Sequence, residues 1–140
     1  MSQIFVDTGY WISLIYSRDC WHEKALAFYS NTIENHVRLC TSEMVLVEFV
    51  NYFSRADVQL RARVAQWVTH LQGDPNTEVI VQTSNQFSRA LALYANRLDK
   101  QWSLTDCSSF LIMTELGITD ALAYDKHFEQ AGFRALLRED

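Results

Sequence analysis

Short β-prone runs alternating with helix-periodic stretches constrain this chain more than any other feature of its sequence. Ile4-Phe5-Val6, Val37 to Thr41, Glu78 to Gln82 and Asp120 to Tyr124 each read as a strand, and a last short one lies near Phe133 to Leu137. Between them, apolar residues recur at helical spacing from Tyr10 to Tyr16, from Trp21 to about Asn35, and from Ser42, an N-cap, to about Arg55. Further helices run from Asp57 to the break at Gly73-Asp74-Pro75-Asn76, from Ser84 to about Leu98, and through Leu116 to a stop at Gly117. Strands separated by helices pair in parallel, because a parallel pair needs a long crossover and both sheet faces need cover. The 140 residues, with one Pro and four Gly, suit a single α/β domain over the whole chain, 1–140.

In a parallel sheet the carboxyl ends of all strands share one edge, where such folds place their sites. Ile4-Phe5-Val6 runs straight into Asp7, and Ala121-Leu122-Ala123-Tyr124 runs straight into Asp125, so these two acids meet at that edge despite their separation in sequence. Asp120 opens a strand and belongs at the opposite edge. Each acid also has a purely structural role open to it. Asp7, followed by Thr8, has the chemistry of a helix cap. Asp106 completes Ser103-x-x-Asp106, the spacing of a capping box, with Thr105, Ser108 and Ser109 beside it as hydroxyls. Glu48 falls on a different helix face from the stripe of Val45, Leu46, Phe49, Val50 and Phe53, as a solvated glutamate would.

Other chemistries fall away. His22, His36, His70 and His127 show no zinc-binding spacing and carry little signal. No GxSxG, P-loop or GxGxxG occurs. Asp7-Thr8-Gly9 matches the aspartic protease triplet, but those enzymes are all-β and Gly-rich; a dehalogenase-type phosphatase needs an acid where Gly9 stands. No apolar run approaches the roughly 18 residues of a membrane span. Cys20, Cys40 and Cys107 are odd in number and unpaired in spacing, as expected of mostly buried free thiols in a reducing cytoplasm.

IFVDTGYW at the start, TSEMVLVEF at Thr41 to Phe49, WSLTDCSSF at Trp102 to Phe110 and ALAYDKHF at Ala121 to Phe128 resemble the four signature blocks of PIN-domain ribonucleases, most of all the small toxins of VapBC-type toxin–antitoxin pairs. The resemblance implies a PIN-like, Rossmann-like three-layer α/β/α sandwich with a central, mainly parallel sheet. It implies that Asp7, Glu48, Asp106 and Asp125 are catalytic and hold Mg2+ or Mn2+, with Thr8 and Ser108 as supporting hydroxyls, and that RNA is cleaved. It also implies a homodimer and a small antitoxin as protein partner. A non-toxin nuclease of RNA processing and a non-catalytic RNA- or protein-binding module of the same fold stay open. Oxygen-only ligands suit Mg2+ or Mn2+. Such ions also answer the net charge of −5, from 17 acids against 12 bases, which otherwise speaks against gripping RNA through a broad basic surface. Arg55, Arg61, Arg63, Arg89, Arg97 and Lys100 are the candidates for holding the flanking RNA backbone.

Overall fold

The computed structural model describes residues 3–139. Strand β1 (Gln3–Val6) leads into helices α1 (Thr8–Ile15) and α2 (His22–Glu34), then β2 (Arg38–Ser42), α3 (Glu43–Tyr52) and α4 (Val58–Gly73). Strand β3 (Thr77–Ile80), α5 (Ser84–Asn96) and α6 (Leu104–Leu116) follow; β4 (Asp120–Leu122), α7 (His127–Gln130), β5 (Arg134–Ala135) and a 3-10 turn at Leu136–Arg138 complete the chain. The strands form one sheet in the order β3-β2-β1-β4-β5, and every described pairing is parallel.

That order decides where the helices lie. The crossovers from β1 to β2 and from β2 to β3 both step outward on one side, so right-handed connections put α1 to α4 on one face. The chain then returns past β1 to β4 and steps on to β5, which puts α5, α6 and α7 on the other face. Helix α6 packs against both α5 and α7. The direction reverses between β1 and β4, and the crevice at the carboxyl ends of these strands is the topological switch point.

The apolar faces explain the layers. Phe5 and Val6 of β1, Leu122 of β4 and Val45 and Phe49 of α3 are fully buried. Trp11 of α1 is fully buried too, with its ring edge-on to Tyr10 and Trp67 at 5.7 and 6.0 Å. Its Nε1–H donates to Thr41 Oγ1 at 3.2 Å, and that hydroxyl donates to the Val6 carbonyl at 3.0 Å. This relay ties α1 and β2 to the last residue of β1, the one before Asp7. Truncating such a Trp to Ala costs about 3–5 kcal/mol.

Several boundaries differ from the sequence expectation, for local reasons. The first helix begins at Thr8, not Tyr10, so Gly9 sits in its first turn, and a Cβ there would stand 3.1 Å from Tyr124 Cδ2. Thr83, not Ser84, caps α5, because its side chain reaches the Gln86 N–H. Helix α3 stops at Tyr52, short of Arg55. Strand β3 starts at Thr77 and ends at Ile80. Strand β4 ends at Leu122, since β1 offers no register partner beyond Val6. The last strand is two residues long and curls into the 3-10 turn. Among the described residues no helix is long and apolar enough to cross a membrane. Cys40 and Cys107 are buried free thiols, and Cys20 is an exposed one.

Candidate active site

The four acids come from four separate parts of the chain and line one cleft of ≈ 320 Å³, together with Thr8, Gly9, Ser103 and His127. Asp7 is delivered by the end of β1, where its backbone N–H still bonds the Leu122 carbonyl of β4 at 3.1 Å. It occupies the N-cap position of α1 with extended dihedrals, yet its side chain makes no capping bond. A buried carboxylate in a capping position that does not cap is free for another ligand. Burial pushes its pKa well above the ordinary value, Asp106 adds to this, the Thr8 N–H opposes it, and Asp125 and Glu48 push it further up.

Asp106 does cap, and it lines the cleft as well. Ser103 Oγ accepts from the Asp106 N–H, and Asp106 Oδ2 accepts from the Ser103 N–H, each at 3.0 Å, closing the capping box. The same Oδ2 lies 2.9 Å from His127 Nδ1, whose N–H donates to the carboxylate. Burial raises the Asp106 pKa and Asp125 adds to the rise; the Ser103 and His127 bonds oppose it. In the fold Asp106 both caps α6 and lines the cleft, because a carboxylate has acceptor capacity beyond the capping bond.

Asp125 lies beyond β4 rather than at its end, in the bend where its Oδ1 accepts the His127 N–H at 2.9 Å. His127 therefore bonds one acid through its ring and another through its backbone. No metal-type spacing surrounds it in the sequence; the one available signal was its place two residues after a strand-following acid. Glu48, in the middle of α3, is solvent-exposed as expected of that face, but Thr8 Oγ1–H donates to its Oε1 at 2.7 Å and turns it toward Asp7. Thr8 thus supports an acid directly.

Ser108 is not among the residues lining the cleft. Two positions on from Asp106, it is rotated to another face of α6. Its buried Oγ has no partner among the described residues and faces the α5 side, near Gln86 and Arg89. Asp120 pairs with Ile4 and Arg134 at the start of β4, away from the cleft.

The donor set suits a hard divalent cation. Asp106, Asp125 and His127 each offer a ligand atom within 4.8 Å of the others, and Asp7 and Glu48 bring two further carboxylates into the same cleft. With Nδ1 donating to Asp106, His127 orients that carboxylate. The raised pKa values of the two buried acids come first from burial, with the neighbouring carboxylates adding to the rise.

Known proteins resemble this chain over most of its length. The 23S rRNA-specific endonuclease VapC20 of Mycobacterium tuberculosis, in strains H37Rv and CDC 1551, is 29% identical over 130 residues that span 93% of this chain and 95% of that protein. The crystal structure of Mycobacterium tuberculosis VapC20, a sarcin–ricin loop cleaving toxin, matches with a TM-score of 0.81 and 26% identity, covering 94% of this chain and 97% of that one. The PIN domain family model matches residues 4–134, and the chain, with its all-parallel sheet and its acids at the switch point, belongs to the PIN domain family.

Proposed function

We propose that this protein is a metal-dependent endoribonuclease, the toxin of a toxin–antitoxin pair, with a structured ribosomal RNA loop as its substrate. The observation that carries the reading is Asp7, a buried carboxylate at the switch point that occupies a capping position without capping, facing Asp106, Asp125 and Glu48. Likeness to VapC20 supports RNA as the substrate class and the toxin role.

Asp7, Asp106, Asp125 and Glu48 would hold Mg2+ or Mn2+. A divalent ion so held supplies an acidified water and offsets charge gathering on the phosphoryl oxygens. The chain's own part is placement. Ser103 and His127 fix the Asp106 carboxylate, Thr8 aims Glu48, and the Asp125 side chain is held by the first N–H of α7. Fixed carboxylates need no reorganisation when charge develops at the phosphate. A protein partner suits the apolar groove of ≈ 290 Å³ between α3 and α4, where Val47 and Val50 are exposed beside Leu46. This fits a small antitoxin, and the reading also takes the protein to act as a homodimer in the cytoplasm; light scattering measures the stoichiometry.

The test is cleavage of a synthetic sarcin–ricin loop hairpin, with transfer RNA alongside. Cleavage is expected with Mg2+ or Mn2+, none with EDTA, and none from Asp7→Asn. Undiminished cleavage in EDTA removes the metal from the account, and undiminished cleavage by Asp7→Asn removes the site.

A further inference from the structure

A second hollow adjoins the acid cleft. We propose that it seats one unpaired nucleotide of the RNA beside the scissile phosphate, with Tyr94 as the stacking surface for the base and Lys100 as the phosphate contact; this rests on the nuclease reading above.

The hollow measures ≈ 550 Å³, larger than the acid cleft and within the range of about 300–1,000 Å³ usual for small-ligand pockets. Gln101 and Ser103 line both spaces, so a chain lying across the acids continues into it. The shared wall is rigid. Ser103 is bonded to Asp106 in both directions, and the next residue back, Trp102, is buried, donates from Nε1 to Gln130 Oε1 at 3.1 Å, and stands edge-on to Phe110 at 5.0 Å. A nucleotide held here is therefore held at a fixed offset from a catalytic carboxylate.

The wall chemistry fits a nucleotide. Tyr94, in the last turn of α5, is 42% exposed, and Leu91, one turn earlier on the same face, is 47% exposed. Lys100 makes no ion pair among the described residues, whereas Arg97 and Arg89, the arginines of α5 and its C-terminal end, are both occupied. Arg97 is clasped by Asp99 at 3.0 Å and lies over the Trp102 ring, and Arg89 is paired with Glu115. Gln101, at the junction, carries amide donors and an acceptor suited to a base edge. A chain with net charge −5 cannot draw RNA in with a broad basic field. Stacking on an exposed aromatic needs no such field, and single-stranded RNA is commonly held that way.

The test uses two probes. Initial rates on the sarcin–ricin hairpin give KM and kcat, and fluorescence anisotropy of a fluorescein-labelled oligoadenylate decamer gives Kd in an Asp125→Asn background that does not turn over. Tyr94→Ala is expected to raise KM and Kd by about 5- to 100-fold, from the usual worth of one stacked base, while Tyr94→Phe stays near wild type. Lys100→Gln is expected to reduce the slope of log Kd against log salt by about 0.7. Unchanged KM and Kd in Tyr94→Ala, or Tyr94→Phe as weak as Tyr94→Ala, overturns the subsite and leaves the nuclease intact. Should Tyr94→Ala melt well below wild type, the salt slope of Lys100→Gln decides. If wild type leaves the hairpin uncut, the nuclease reading fails by itself, and the decamer titration still decides the subsite.

Discussion

Replacing Asp7 by Asn keeps the shape of the side chain and removes its charge, which separates its cost from its use. Asp106 and Asp125 offer carboxylate oxygens within 4.8 Å of each other. Two unit charges at that distance, at an effective dielectric of about 20, repel by about 3 kcal/mol as an upper bound. Asp7 feels Asp106, Asp125 and Glu48 together, and burial is the largest cause of its raised pKa. The sum does not accumulate in full, because a buried acid takes up a proton once repulsion outweighs that cost. A net penalty of about 1–3 kcal/mol remains. Asp7→Asn is therefore expected to stabilise the metal-free protein by that amount, roughly 3–10 °C in Tm for a domain of this size. A folded-state pKa above the ordinary value of 3.8 means that the native state holds protons the unfolded chain has released. That stability is complete below the ordinary value and is lost as pH rises through the raised ones, so metal-free wild type should soften with rising pH more steeply than Asp7→Asn. Saturating Mg2+ reverses the order. At a hundredfold excess over Kd the ion adds about 2.7 kcal/mol to wild type, and little to the variant. Differential scanning calorimetry in EDTA and in Mg2+, from pH 4 to 8, reads all of this. Destabilisation by Asp7→Asn in EDTA of more than about 1 kcal/mol would refute the reasoning and return Asp7 to a structural role.

Three further outcomes follow from the geometry. His127→Ala should weaken Mg2+-dependent cleavage by about 10- to 100-fold, the usual cost of losing a ligand's orienting partner, with His127→Asn restoring part through its amide donor; a metal titration of the cleavage rate checks this. Gly9→Ala should keep the fold but lower kcat by about tenfold, because its Cβ meets the Tyr124 ring at 3.1 Å while Tyr124 is tethered to Ser13 at 2.8 Å and adjoins Asp125; full activity would show that the ring yields freely. His36 holds φ of 52° after α2 and Gly117 holds φ of 68° after α6, so His36→Gly should stabilise and Gly117→Ala destabilise, each by about 1 kcal/mol in urea melts.

How far the sequence could be read depends on the range of the interaction responsible. The layered parallel fold was legible, because strand and helix periodicities are local and a sheet of separated strands has few ways to connect. Asp7 was legible as a site candidate for the same reason, since a strand run ending in an acid is a local pattern. Its freedom from capping was not, because that depends on side-chain direction in the folded turn. Asp125 was read at a strand end but stands in the bend after it, since β4 can be no longer than the β1 edge it pairs with. His127 was passed over because its role depends on Asp106, 21 positions away and on another element. Ser108 shows the converse, a residue near the right acid in sequence but on the wrong side of the helix.

Strand β1 is made first yet lies in the middle of the sheet, flanked by β2 and by β4. On the nuclease reading, this has a consequence for the cell that makes it. A nascent chain bearing Asp7 and Glu48 has no Asp106, no Asp125 and an open side to its central strand, so it is an incomplete cutter throughout most of its synthesis. Only when the last quarter of the chain has emerged and β4 slots in beside β1 does the blade close. On that reading, the cut waits on the order in which the strands are written.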